Sequence, residues 1–248
     1  MGHHDDFHAD HTPEAIRARM LEQATPSYLK DFIYGAIDGA VTTFAIVSAS
    51  VGAGLSSGVI IVLGLANLLA DGFSMAASNF LGTRADRQLY ERTKSEEHEE
   101  IEANPEGERE EIRQIFKAQG FGGDTLERIV GVVTSNRELW VKTMMREEHG
   151  LDDGGPRALP AARATFVAFI LIGAIPLIPY FIGLMVDLPM RFGISLGATG
   201  LAFLGVGWAK GKIVGVSRAR SALETLAIGG AAAAVAFGVG ALLHGVAG

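Results

Sequence analysis

Five apolar stretches, roughly 32–54, 58–82, 161–184, 188–209 and 221–246, constrain this chain more than any other feature. Each is near or above the ~20 residues a helix needs to cross a ~30 Å hydrocarbon core. Within such a core the backbone must satisfy its own hydrogen bonds, so each stretch is predicted to be helical. Their Gly and Ala would weaken a helix in water, but in lipid small residues let helices approach closely. Gly35/Gly39 and Gly193/Gly197 have the spacing of such an approach. Pro176 and Pro179 are expected to kink the third span, since each removes a backbone donor. The fold class expected is all-α: a polytopic membrane protein with five transmembrane helices, in contact with a lipid bilayer.

Basic residues set the orientation. Arg17, Arg19 and Lys30 precede the first span, and the turn Gly54-Leu55-Ser56-Ser57 after it is uncharged. Arg84, Arg87 and Arg92 follow the second span, Arg157 and Arg163 precede the third, and Lys210, Lys212, Arg218 and Arg220 separate the fourth from the fifth. Cytoplasmic loops carry the Lys and Arg excess. The N-terminus and the block between spans two and three are therefore expected in the cytoplasm, and the C-terminus on the other side. No signal peptide is evident, because the N-terminus is polar and His/Asp-rich. His3, His4, His8 and His11 invite a metal reading, but a disordered tail is the plainer one.

Residues 83–158 form a charged block that holds most of the 28 acidic residues, so the net charge of −7 belongs to one segment. A general affinity for nucleic acid is not expected. The block is predicted as three helices. The first continues span two to about Ile101 and breaks at Asn104-Pro105, because a residue before Pro avoids the α region. The second covers about 106–118. The third starts at Asp124 as N-cap and runs to about His149. The domains expected are a polar segment 1–30 with a short amphipathic surface helix over 15–22, spans one and two over 31–82, the cytoplasmic three-helix block 83–158, and spans three to five over 159–248.

Chemistry concentrates at two places. In the block, Glu97-x-x-Glu100 and Glu108-x-x-Glu111 each put two carboxylates on one helix face. The break between them lets the pairs fold against each other. Spacing alone supports a metal cage and a solvated charged face equally, since Glu96, Glu99, Glu102, Glu106 and Glu110 crowd the same stretch. Met144 and Met145, four and three residues before Glu148, favour the cage, because a thioether is a soft ligand. The chain has no Cys, so a metal must be held by oxygen, imidazole or thioether. Oxygens with a little sulfur point to Fe²⁺, Mn²⁺, Co²⁺ or Zn²⁺. In the spans, Asp38 lies in the first, and Asn67, Asp71 and Met75 lie in the second. An acid inside a bilayer is costly unless paired or hydrated, and is a functional candidate on that ground. A structural hydrogen-bonding role for these acids is the competing reading.

The runs Asp38-Gly39-Ala40-Val41-Thr42-Thr43-Phe44 and Ala70-Asp71-Gly72-Phe73-Ser74-Met75, the E-x-x-E-x7-E-x-x-E pattern and the Met-Met-x-x-Glu end of the block together resemble the vacuolar iron transporter family over about residues 28–246. The resemblance implies a homodimer of five-span protomers that exchanges cytosolic Fe²⁺, and often Mn²⁺, for protons. It implies metal ligands at Glu97, Glu100, Glu108, Glu111, Met144, Met145 and Glu148, and a transport pathway at Asp38 and Met75, with Asp71 and Asn67 beside it. The chain departs from some relatives, which carry Glu where Asn67 stands, and from others, which have no acid at the position of Asp71.

The expected function is transport of a divalent transition metal out of the cytosol, with the metal as substrate and no organic cofactor. The alternative is a membrane-anchored metal-binding, storage or sensor protein without transport. No P-loop, nucleotide fingerprint or nucleophile triad is evident, so an enzyme is not expected. No Glu-x-x-His occurs, which argues against a ferritin-like di-iron site.

Overall fold

The computed structural model describes residues 11–23, 27–153 and 155–247; His3, His4 and His8 lie outside them. Every element among the described residues is helical. We number them α1 (Pro13–Gln23), α2 (Leu29–Gly52), α3 (Ser57–Ala103), α4 (Pro105–Ala118), α5 (Gly123–Thr134), α6 (Arg137–Glu147), α7 (Ala158–Gly173), α8 (Ile178–Ile182), α9 (Arg191–Val214), α10 (Arg218–Leu242) and α11 (His244–Ala247). Five stretches are long and apolar enough to span a membrane: α2, the apolar half of α3, Ala158–Ile182, α9 and α10. The chain divides into two compact units, one of residues 27–81 with 156–248, the other of 82–155 with 1–26. The helix α1 forms where a surface helix is expected, but its apolar residues do not gather on one face, so the expected amphipathic character is absent.

In the apolar unit α2 is the central helix and packs on α7, α9 and α10. Phe44, Val47, Ile60, Leu68, Phe169 and Phe203 form its core. Glycines make its close approaches, Gly240 of α10 against the Ala49 carbonyl of α2 and Gly35 and Gly39 of α2 against α7. A Cβ on Gly35 would collide with the Thr165 carbonyl, and one on Gly39 would lie 2.5 Å from the Phe169 carbonyl oxygen. The absence of a side chain lets two backbones touch, which dispersion rewards in lipid. The second predicted pair behaves differently. A Cβ on Gly197 would meet nothing within 4 Å, and one on Gly193 nothing nearer than 3.7 Å, so that spacing carries no helix contact. Gly39→Val is therefore expected to cost about 1–3 kcal/mol or more by overpacking, whereas Gly197→Val should leave stability nearly unchanged. Thermal scans of the detergent-solubilised variants read this out, and equal melting temperatures for the two would refute the seam.

The kink expected at Pro176 and Pro179 is present as a 3₁₀ turn, Ile175–Leu177, that separates α7 from α8. The Ser195 hydroxyl donates to the Pro176 carbonyl at 2.7 Å, which ties α9 to this turn. A polar cross-link ties three helices: Asn79 Nδ2 donates to Asp31 Oδ1 at 2.9 Å and to Thr165 Oγ1 at 2.7 Å.

In the other unit the break at Asn104-Pro105 is as expected. The Asn104 side chain accepts from the Gly107 N–H at 3.2 Å, and Pro105 occupies the first helical position, where a missing N–H costs nothing. The expected single helix from Asp124 to His149 is instead two, α5 and α6. Ser135 Oγ donates to the Val132 carbonyl, and the Asn136 side chain accepts from the Leu139 N–H at 3.1 Å. Short polar side chains compete for backbone groups and end one helix while capping the next. Gly122, not Asp124, holds the N-cap position of α5. Ile101, Ile112, Val130, Trp140, Val141, Met144 and Met145 build this unit's core.

Candidate metal centre

The two glutamate pairs do converge. One carboxylate oxygen each from Glu97, Glu100 and Glu108 lie within 4.8 Å of one another. Glu97 and Glu100 come from the end of α3 and Glu108 from the first turn of α4, and the Asn104 cap reverses the chain between them. A second group joins Glu97 to Glu148 and His149, again with ligand atoms within 4.8 Å. Glu97 is common to both. Glu111 lies within electrostatic reach of Glu148, Glu97 and Glu100.

Burial separates two of these acids, Glu97 and Glu108, from a solvated face, whereas Glu100, Glu111 and Glu148 are exposed. Glu97 is 2% exposed and Glu108 6%. The Oε2 atoms of both are buried without a hydrogen-bond partner, a costly state for a carboxylate. Neighbouring acids are treated differently. Glu96 is paired with Arg92, Glu102 with Arg137, and Glu110 and Glu127 with Arg113. Among the described residues, none of Glu97, Glu100, Glu108, Glu111 or Glu148 forms an ion pair with Arg or Lys. The arginines of the block thus pair with part of its surface and leave buried Glu97 and Glu108 beside exposed Glu100, Glu111 and Glu148.

The electrostatic result is strong. Burial first, then the charges of Glu111, Glu97, Glu100 and Glu148, push the Glu108 carboxyl up to about 7. Burial likewise raises Glu97 above the usual carboxylate range, against the opposing pull of His149. Burial and the Glu148 charge raise Glu111. Burial disfavours charge on the His149 imidazole, but its hydrogen bond to Glu97 and the surrounding carboxylates outweigh that and raise its pKa. A buried carboxyl that keeps its proton up to about 7 beside four other acids is suited to a dication, which favours the ionised form.

Met144 and Met145 are 0% and 1% exposed and belong to the apolar core. Both pack in one cluster with Ile112, Val130 and Trp140. His149 is the residue sequence reasoning missed. It lies just past the end of α6, where Gly150 takes φ +65° and the His149 N–H reaches back to the Met144 carbonyl. That left-handed glycine turn ends the helix, and His149 Nε2 meets Glu97 Oε1 at 2.7 Å. A glycine directly after a histidine at a helix end was the available signal.

The pathway candidates lie in the apolar unit. Asp38 is half-buried on α2, and its carbonyl accepts from Thr42 Oγ1 at 2.8 Å. Asn67 Nδ2 stands 3.4 Å from both Thr42 Oγ1 and Thr43 Oγ1. Asp71 is within electrostatic reach of Asp38 and is exposed. Met75 packs against the core.

Comparison with known proteins gives one consistent family. The sequence profile of the VIT family matches residues 29–241. A vacuolar iron transporter of Toxoplasma gondii is 34% identical over 229 residues, covering 89% of this chain and 76% of its own length. Vacuolar iron transporter 1 of Arabidopsis thaliana is 34% identical over 211 residues, 84% of this chain and 83% of the relative. Vacuolar iron transporter 2 of Oryza sativa subsp. japonica is 32% identical over 212 residues, 85% of each.

Proposed function

This chain belongs to the VIT family, and from that premise we propose that it moves Fe²⁺ out of the cytosol across a membrane in exchange for protons, with Mn²⁺, Co²⁺ and Zn²⁺ as further candidate substrates. The names of its relatives support iron as the cargo. The observation that carries the reading is the pair of buried carboxylates, Glu97 and Glu108, each with an oxygen that no protein group satisfies. In this reading residues 83–158 are a cytoplasmic loading domain. Glu97, Glu100, Glu108, Glu111 and Glu148 collect the metal there, and Met144 and Met145 supply thioether sulfur from the core side. The excess of Lys and Arg around the block supports its cytoplasmic side, with the C-terminus opposite.

The cargo then passes to Asp38 and Met75, with Asn67 and Asp71 alongside. Carboxylates bind metal only when ionised, so protons arriving from the far side displace the ion there. Asp71 is exposed on a spanning helix. A carboxylate facing lipid costs several kcal/mol, and a second copy of the chain covering that face removes the cost. This supports a homodimer.

Proteoliposomes loaded with the protein test the reading. We expect uptake of Fe²⁺ to accelerate when the receiving side is acidic. Equal uptake with and without a pH gradient would sink proton exchange. Metal binding with no flux at all would leave a membrane-anchored store or sensor.

A further inference from the structure

We propose that His149 is a metal ligand, and that Glu97, Glu148 and His149 form a nitrogen-containing subsite for a transition-metal dication beside the all-carboxylate group of Glu97, Glu100 and Glu108. The inference rests on the reading of this region as a metal cage and adds to it a second, chemically distinct position.

Three observations converge on this subsite. The imidazole Nε2 and Glu97 Oε1 are 2.7 Å apart, and ligand atoms of Glu97, Glu148 and His149 lie within 4.8 Å of one another. Two ligands each about 2.1 Å from a shared dication stand about 3.0–3.4 Å apart. A shift of a few tenths of an ångström therefore converts the hydrogen-bonded pair into a chelating one. The second observation is that Glu97, 2% exposed, keeps its Oε2 without any partner. A histidine present only to neutralise Glu97 would leave that oxygen as it is, whereas a bound dication gives it a reason to be there. The third is access: the His149 side chain is 31% exposed against 2% for Glu97, so it stands where an ion arriving from water meets the buried acid.

Ligand type gives the subsite a selectivity that carboxylates alone lack. Imidazole suits Fe²⁺, Co²⁺ and Zn²⁺, whereas oxygen-only sites suit Mn²⁺, Mg²⁺ and Ca²⁺. Glu97 belongs to both groups, so the imidazole biases which metal the shared carboxylate takes. His149 is thus the residue that favours later transition metals over Mn²⁺ at the loading step.

The test uses the full chain in detergent micelles at pH 7.5, with His3, His4, His8, His11, His98 and His244 replaced by Gln so that His149 is the one imidazole left. X-ray absorption at one equivalent of Zn²⁺ is expected to show imidazole outer-shell scattering that disappears in His149→Gln. Competition titrations should show Zn²⁺ and Co²⁺ affinity falling about ten-fold or more in that variant, with Mn²⁺ affinity changing less than about two-fold. Bound Zn²⁺ with only oxygen or sulfur neighbours in the parent overturns the proposal, and so does imidazole scattering that persists in His149→Gln. An equal loss for Zn²⁺ and Mn²⁺ does the same, since His149 would then only prop Glu97. The parent spectrum alone decides the case if the variant fails to fold. Absence of bound metal in the parent would refute the cage itself, which is a different failure.

Discussion

Glu108→Gln is expected to make the protein more stable in chelator at pH 8 and to remove most of the cage's affinity for metal. The two effects share one cause. Glu108 is buried against Glu111, Glu97, Glu100 and Glu148, and its carboxyl titrates at about 7 in the fold against 4.5 as the reference. Between those values the folded chain keeps a proton that the unfolded chain has lost. Raising pH through that window therefore destabilises the fold, by up to about 3 kcal/mol once pH exceeds 7. Glutamine keeps the shape and never ionises, so the variant lacks this slope. It also cannot supply the anion a dication needs, and we expect metal affinity to fall at least about ten-fold, as for loss of a direct ligand. In the parent, affinity should drop as pH falls through 7, because ligand and proton compete for the same oxygen. Thermal scans at pH 5 and pH 8 with chelator, paired with metal titrations, measure both. A variant no more stable than the parent at pH 8, or one that binds metal as tightly, contradicts the cage.

Asp38→Asn is expected to abolish flux while the loading domain still binds metal. The substitution keeps size and hydrogen bonding but removes the charge. A dication entering a hydrocarbon layer gains its compensation there from ionised carboxylates, and about 2.7 kcal/mol of it lost from the barrier is two factors of ten in rate. Loss of that compensation from the barrier slows passage roughly 100-fold, which in proteoliposomes is indistinguishable from leakage. The alternative reading of Asp38 is a hydrogen-bonding group that holds α2 in place, and asparagine serves that role well. Metal-dependent uptake at the parent rate would therefore remove Asp38 from the pathway, while unchanged titrations of the detergent-solubilised variant would show that loading is intact.

The spans are legible in the sequence because lipid imposes a length and an apolarity that five stretches meet. The turn at Asn104-Pro105 is legible because proline removes a donor and asparagine replaces one. The split between α5 and α6 is harder to read. Thr134-Ser135-Asn136 are ordinary polar residues on a charged helix until their side chains take backbone partners. The burial of Met144 and Met145 is hard to read for a related reason: they stand beside many charges, yet they belong to the core cluster. His149 was hidden by its position just beyond a helix end, where its direction depends on the backbone of Gly150. The glutamates themselves are named by spacing, but which of them are buried depends on where arginines fall, and that pairing crosses helices. Arg113 reaches from α4 to Glu127 on α5, and Arg137 from α6 to Glu102 on α3.

The glycine contact between α2 and α7 has a mechanical meaning. Backbones that touch through Gly35 and Gly39 cannot slide past each other without first separating, since the Thr165 and Phe169 carbonyls occupy the space a side chain would need. The two helices therefore travel as one body, and Asp38, one residue from Gly39, travels with them. A carrier built this way draws its motion from looser surfaces. The Gly197 side of α9, where an added Cβ would meet nothing within 4 Å, is such a surface. Restraining that side should slow turnover without changing how tightly the cargo is held.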